Sequence, residues 1–212
     1  MSVVRYSLEV IFNNEKRWYH DTLVLWMRVF FIKGEFQMAK LVYPDYQHES
    51  MMKDYLQETY AFGEKYVNGD GGCQFYQDYH KWIKREKQNH LGINLEPGFV
   101  PATTYFYLEN DQIVGTINLR HCLNDCLINH GGHIGYSILP SMRKKGYATA
   151  MLKEVIEICK RWEIYPILLT CNQENIASKK TIEKCGGKLE NKYYDEKTKE
   201  TVLRFWIGEK ND

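Results

Sequence analysis

No apolar run in this 212-residue chain approaches the roughly 20 residues that a membrane-spanning helix requires. The nearest, TLVLWMRVFFI at 22–32, is short and broken by Arg28. It also lacks the basic start and small-residue end of a secretory signal, so no membrane partner is expected. An excess of one charge is missing too, with 28 Lys+Arg against 27 Asp+Glu and a net of +1. No overall field then favours nucleic acid or an anionic surface, and no nucleic-acid partner is expected. Six cysteines without a repeating spacing argue against a disulfide framework and for reduced thiols in a cytoplasmic protein. There is no internal repeat, no low-complexity tract, and neither the Walker Gly-x-x-x-x-Gly-Lys-Ser/Thr loop nor the dinucleotide Gly-x-Gly-x-x-Gly loop.

What is present is a chain with 44% hydrophobic residues, enough for one globular domain with room for an appendage. Residues 3–12 fit a strand, and 17–32 fit strand or helix equally. After Met38 the pattern sharpens: KLVYP is a short strand stopped by Pro44, followed by a helix from about Glu49 to Tyr66. Phe75, Tyr79, Trp82 and Ile83 recur at helical spacing and predict a second helix with an aromatic core face. TYFYLEN and QIVGTINLRH flank Asn110-Asp111 as an antiparallel hairpin. A loop holding Asn124, Asp125 and glycines 131 and 132 leads to the strand HIGYSILP. Leu152, Val155, Ile156, Cys159 and Trp162 form the stripe of a long helix, and PILLTC reads as a strand buried on both faces. Asn175 can cap a further helix ended by Gly186 and Gly187, before a closing hairpin of KLENKYY and ETVLRFWI.

Between HIGYSILP and its helix stands PSMRKKGYATAML, residues 140–152, a basic turn with a glycine at a helix start. Strand, turn, helix and strand make a βαβ unit, in which the two strands are parallel if adjacent. A helix N-terminus offers several unpaired N–H groups and partial positive charge, Gly146 permits positive φ, and Arg143, Lys144 and Lys145 add cations. The chemistry that fits is a pyrophosphate, although a solvated basic turn has the same composition.

The six residues Arg143-Lys144-Lys145-Gly146-Tyr147-Ala148 resemble the Arg/Gln-x-x-Gly-x-Gly/Ala acetyl-CoA signature of the GNAT N-acetyltransferase superfamily. NIASKKTIEKCGG is similar to the superfamily's Asn-x-x-Ala/Ser segment, with Asn175 and Ser178 at the matching positions, and the order of elements from 39 to 208 follows the same plan. The wording of GGHIGYSILPSMRKKGYATAML is close to small bacterial predicted acetyltransferases of unassigned substrate. The resemblance implies an α/β (α+β) fold: a mixed, mostly antiparallel central sheet with a splayed parallel pair and helices on both faces. Residues 38–212 would form this domain, and 1–37 an N-terminal extension of unknown role.

The resemblance also implies acetyl-CoA as cosubstrate. The backbone of Ser137 and Ile138 would bind the pantetheine arm, and the amides from Lys144 through Gly146, Tyr147 and Ala148 to Thr149 the pyrophosphate, with Arg143 nearby. Asn175 and Ser178 would contact the pantetheine or serve only as a helix cap. The acceptor would be a primary amine of a small molecule or peptide, attacking the thioester directly, in a monomer or homodimer. The usual tyrosine acid is replaced by Ile182, and Thr170, Cys171 and the loop residue Glu174 supply no evident base. His133 is the candidate catalytic residue, because its ordinary pKa near 6.5 suits proton acceptance, unless it merely pairs with a backbone group. Arg120 and His121 can recognise an acceptor carboxylate; Glu58, Glu64, Asp70 and Asp195 can favour a cationic amine. Two rivals remain. Cys122, Cys126, His130 and His133 have a spacing compatible with zinc, but no Cys-x-x-Cys knuckle accompanies it and no metal is expected. A non-catalytic acyl-CoA binder would fit the missing tyrosine.

Overall fold

The computed structural model describes residues 39–196 and 198–209. The elements expected before Met38 lie outside the described residues. A four-stranded antiparallel sheet has the order β1 (Lys40–Val42), β2 (Ala102–Glu109), β3 (Gln112–Arg120) and β4 (Ile134–Ile138). A three-stranded antiparallel sheet has β7 (Glu200–Ile207) between β5 (Ile167–Asn172) and β6 (Lys188–Asp195). Asn110 and Asp111, both at positive φ (48° and 57°), make the tight turn between β2 and β3, as their sequence predicts.

Helices cover both faces of the first sheet. On one lie α1 (Glu49–Ala61) and α2 (Tyr79–Leu91), burying Met52, Tyr55, Trp82 and Ile83 against Phe106 and Ile113. On the other lies α4 (Tyr147–Arg161), whose Met151, Leu152, Val155 and Cys159 are fully buried against Val114, Ile117, Leu169 and Phe205. Each such apolar side chain contributes about 1.5–3 kcal/mol when withdrawn from water. The last helix is α5 (Ile176–Lys184).

Local chemistry moves several boundaries. The first helix stops at Ala61 because the next residues turn, with Gly63 at φ 97° donating to the Tyr60 carbonyl. Phe75 does not join the second helical face: the Asp78 carboxylate accepts from the amides of His80 and Lys81, fixing the helix start at Tyr79 and leaving Phe75 exposed. Inside the loop expected after β3, Asn124 caps a five-residue helix, α3 (Asp125–Asn129). Trp162 stands past the end of α4 and is partly exposed rather than core.

Candidate active site

β4 and β5 meet at one point and then part. The His133 amide donates to the Leu168 carbonyl at 2.8 Å, and the Leu168 amide donates to His133 Nδ1 at 2.9 Å. The imidazole thus takes the place of a second backbone acceptor in a parallel pair. Gly132, at φ 59°, allows the approach, since a Cβ there would lie 2.4 Å from the Leu168 oxygen. Further along, Ser178 touches both Tyr136 on the β4 side and Cys171 on the β5 side, so the strands run in the same direction. No ladder joins them among the described residues.

This geometry corrects two expectations. Burial lowers the His133 pKa to about 4, and its Nδ1 lone pair is held by Leu168, which leaves the neutral ring's proton on Nε2. With Nδ1 accepting from Leu168 and the proton on Nε2, the ring presents no free lone pair, and the backbone-pairing alternative describes His133 in this structure. The register corrects Ser137. Arg120 donates to the His133 carbonyl and Leu139 to the Val114 carbonyl, so the alternating hydrogen-bonded pairs include Thr116 with Ser137. The backbone of Ser137 therefore faces β3, and the groups on the open edge belong to Ile134, Tyr136 and Ile138. Ile138 lies on that edge, its carbonyl accepting from Arg143 Nε at 3.0 Å.

The turn after β4 is built for an exposed helix start. Pro140–Met142 form a single 3-10 turn, Lys144 takes φ 61°, and Gly146 takes φ 91° as the N-cap of α4. Gly146 has no side chain to cap Tyr147, Ala148 or Thr149, and the first backbone bond of the helix is Ala150 N–H to the Gly146 carbonyl. Nothing lies within 4 Å of a Cβ placed on Gly146. Lys144 and Lys145 are exposed, but Arg143 is engaged elsewhere: it pairs with Glu64 at 2.6 Å, bonds the Ile138 carbonyl and lies over the Phe62 ring. The Tyr147 ring turns away to hydrogen-bond Glu109, so only its backbone faces the turn.

Opposite the open edge stands α5. Asn175 caps it by accepting from the Ser178 amide at 3.0 Å, and Ser178 Oγ lies 3.0 Å from the Tyr136 hydroxyl. Cys185, just past the helix, reaches the Thr149 carbonyl of α4 at 3.8 Å. Ile182 is fully buried in the apolar core.

The acidic residues considered for a cationic amine are all held by the protein itself. Glu58 accepts from the Ser141 amide at 2.9 Å, and Glu64 pairs with Arg143. Asp70 accepts from the amides of Gly72 and Gln74, and Asp195 pairs with His130 at 3.1 Å and accepts from Thr198. Arg120 donates to the carbonyls of Gly131 and Gly132, and His121 bonds Thr103. With His130 and His133 so placed, no cluster of three or more His, Cys, Asp or Glu converges among the described residues. Two groups escaped the sequence reading. Tyr55, Ser137 and Thr116 form a hydroxyl cluster, and both Ser137 and Thr116 donate to the Asn68 carbonyl. Glu86, buried and accepting from Thr104 and Asn89, has its pKa raised by burial to about 7.

An uncapped helix start beside a strand edge that parts from its neighbour can take an anion and an extended chain together, and the comparisons say which family this site belongs to. The model of the acetyltransferase (GNAT) family matches residues 50–187, well over half of the chain. The chain belongs to that family. No curated protein matches it in sequence. Among solved structures, the ribosomal L7/L12 alpha-N-protein acetyltransferase RimL, in complex with coenzyme A, is 16% identical with a TM-score of 0.61, over 81% of this chain and 94% of its own. The microcin C7 self-immunity acetyltransferase MccE, in complex with acetyl-CoA and AMP, is 14% identical with a TM-score of 0.61, over 82% and 93%. A spermidine N-acetyltransferase SpeG chimera from Vibrio cholerae and hSSAT is 14% identical with a TM-score of 0.53, over 79% and 94%. At these identities the structures share the fold.

Proposed function

We propose that residues 38–212 transfer the acetyl group of acetyl-CoA directly to a primary amine of a small molecule or peptide, in the cytoplasm. The carrying observation is the Gly146 helix start, uncapped and sterically open beside the free edge of β4. It fits the cosubstrate in two places. The amides of Tyr147, Ala148 and Thr149, with the exposed Lys144 and Lys145, would take the pyrophosphate. The open edge at Tyr136 and Ile138 would take the pantetheine as an added strand, in place of Ser137. Asn175 holds the start of α5 beside this edge and positions Ser178. The named acceptors of RimL and SpeG, a protein N-terminus and spermidine, support an amine without choosing between peptide and small molecule. Among the described residues no helix is long and apolar enough to cross a membrane.

The protein would supply chiefly proximity and a backbone N–H for the tetrahedral oxyanion, with water taking the ammonium proton. A second reading, binding of acyl-CoA without turnover, is favoured by the buried Ile182 and the committed His133. Isothermal titration with acetyl-CoA tests the site. Wild type should bind in the micromolar range, and Gly146→Glu should lose at least about a hundredfold through charge and the strain of a side chain at φ 91°. Wild-type protein that takes up no acetyl-CoA would overturn the proposal; binding without acetylation of a broad amine panel would select the second reading.

A further inference from the structure

The leaving thiolate has no tyrosine at position 182 to receive it, yet a phenol stands close by on the opposite wall. Tyr136 extends from β4, where its backbone lies on the open edge, and its hydroxyl is 3.0 Å from Ser178 Oγ on α5. Ser178 lies one helical turn before Ile182, so the pair bridges the two walls beside the vacated position. Ser178 also touches Cys171 on β5, and Thr181 lies within reach of the same phenol. The bridge thus sits deep in the splay, at the level of the Cys171 thiol, which is itself buried.

We propose that Tyr136, held by Ser178, donates a hydrogen bond to the coenzyme A sulfur as it departs, an inference that rests on the acetyl-CoA reading above. The amine nitrogen forms the new C–N bond and gives its proton to water. The C–S bond breaks with its electron pair going to sulfur, which leaves as a thiolate and is protonated by solvent. Tyr136 stabilises that charge without giving up its proton. Burial raises the phenol to about 12, whereas a thiol ionises near 8.5, so full proton transfer to sulfur would run uphill while hydrogen-bond donation persists across the neutral range. Ser178 can accept from the phenol before the thioester arrives and keep the ring in its rotamer afterwards. Tyr136 thereby differs from an acid catalyst in consequence: its loss removes a charge interaction rather than a titrating group.

The test needs no acceptor. Coenzyme A and desulfo-coenzyme A, which lacks the sulfur, are titrated into wild-type protein, Tyr136→Phe and Ser178→Ala, with the thiol pKa of bound coenzyme A followed by thiolate ultraviolet absorbance. Tyr136→Phe should weaken coenzyme A about tenfold at a pH where the bound thiol is ionised, leave desulfo-coenzyme A unchanged, and raise the bound thiol's pKa. Ser178→Ala should shift the same readings in the same direction by less. Equal weakening of both ligands, or no sulfur-dependent change in either variant, would overturn the proposal and leave the cofactor reading standing. Failure of both ligands to bind wild type would overturn both. Should the phenylalanine variant not fold, Ser178→Ala alone decides by the same criterion.

Discussion

The two ends of β4 are made of similar materials and do opposite things. At its start, Gly132 and His133 press the chain against Leu168, closing the gap to β5 with one backbone bond and one imidazole bond. At its end, Gly146 again takes positive φ, but it turns the chain into open space and leaves a helix start uncapped. A glycine, a polar side chain and a strand terminus occur at both ends. What separates them is whether another backbone occupies the space. The contrast teaches where the splay has its vertex: β4 and β5 are joined at His133 and Leu168, and the edge of β4 beyond that point is left without a ladder among the described residues.

The sharpest way to break this contrast is to give both glycines a methyl group. Gly132→Ala places Cβ 2.4 Å from the Leu168 oxygen, and neither atom can move without parting the strands. With the added cost of an alanine at φ 59°, roughly 3–5 kcal/mol of stability should be lost, read from urea denaturation. Gly146→Ala meets nothing within 4 Å and should cost only about 1 kcal/mol of strain. Equal losses would mean that the vertex is not the point of closure.

His133 sharpens the comparison through pH. Its folded pKa lies near 4, below the ordinary value of about 6.5, because burial beside Arg120 disfavours the imidazolium. The unfolded chain therefore binds the extra proton between those values. Stability from this group is fully present above pH 6.5 and declines as pH falls toward 4, by about 3 kcal/mol in all. His133→Asn can still accept from the Leu168 amide but cannot titrate, so the difference in stability between variant and wild type should move in the variant's favour by about 3 kcal/mol as pH falls from 6.5 toward 4, read from urea denaturation at each pH. The absolute slope is shared with other groups: burial lowers His48 and His121, which act in the same sense as His133, and raises Glu86 to about 7, which acts in the opposite sense, so the difference between the two proteins carries the prediction.

The same contrast explains what could be read in advance. The open end was legible because its chemistry is local and backbone-borne: Arg143 to Ala148 encode a turn and a helix start within six residues. The order of strands and helices from Lys40 onward was equally legible, since hydrophobic period and turn residues are local signals too. The closed end and the acidic residues were not, because their roles are set by distant partners. Glu58 is committed to Ser141, 83 positions away, and the imidazole of His133 to Leu168, 35 away. His133 looked like a base because free imidazole is one; only the register shows its lone pair occupied. Ser137 failed for a related reason, since which strand residues face an open edge depends on the phase of the β3 pairing, which composition does not encode. Tyr136 offered no signal, its partner lying 42 residues on in another helix.

The smallest expected effect separates two cations of the same turn. Arg143 is tied inward by Glu64, the Ile138 carbonyl and the Phe62 ring, with about a third of its side chain exposed. Arg143→Ala should therefore reduce stability by about 1 kcal/mol through lost packing and charge-assisted bonding, while coenzyme A affinity falls little. Lys145 is exposed, its ammonium resting on the Met142 sulfur, and it contributes little to the fold. Lys145→Ala should leave the thermal midpoint in place and weaken coenzyme A by about two- to fivefold at low salt, the loss fading as salt screens the phosphate. Should Arg143 instead prove to be the cation that sets affinity, the pyrophosphate must draw its guanidinium away from Glu64, and the turn would be reorganised by its ligand rather than preformed for it.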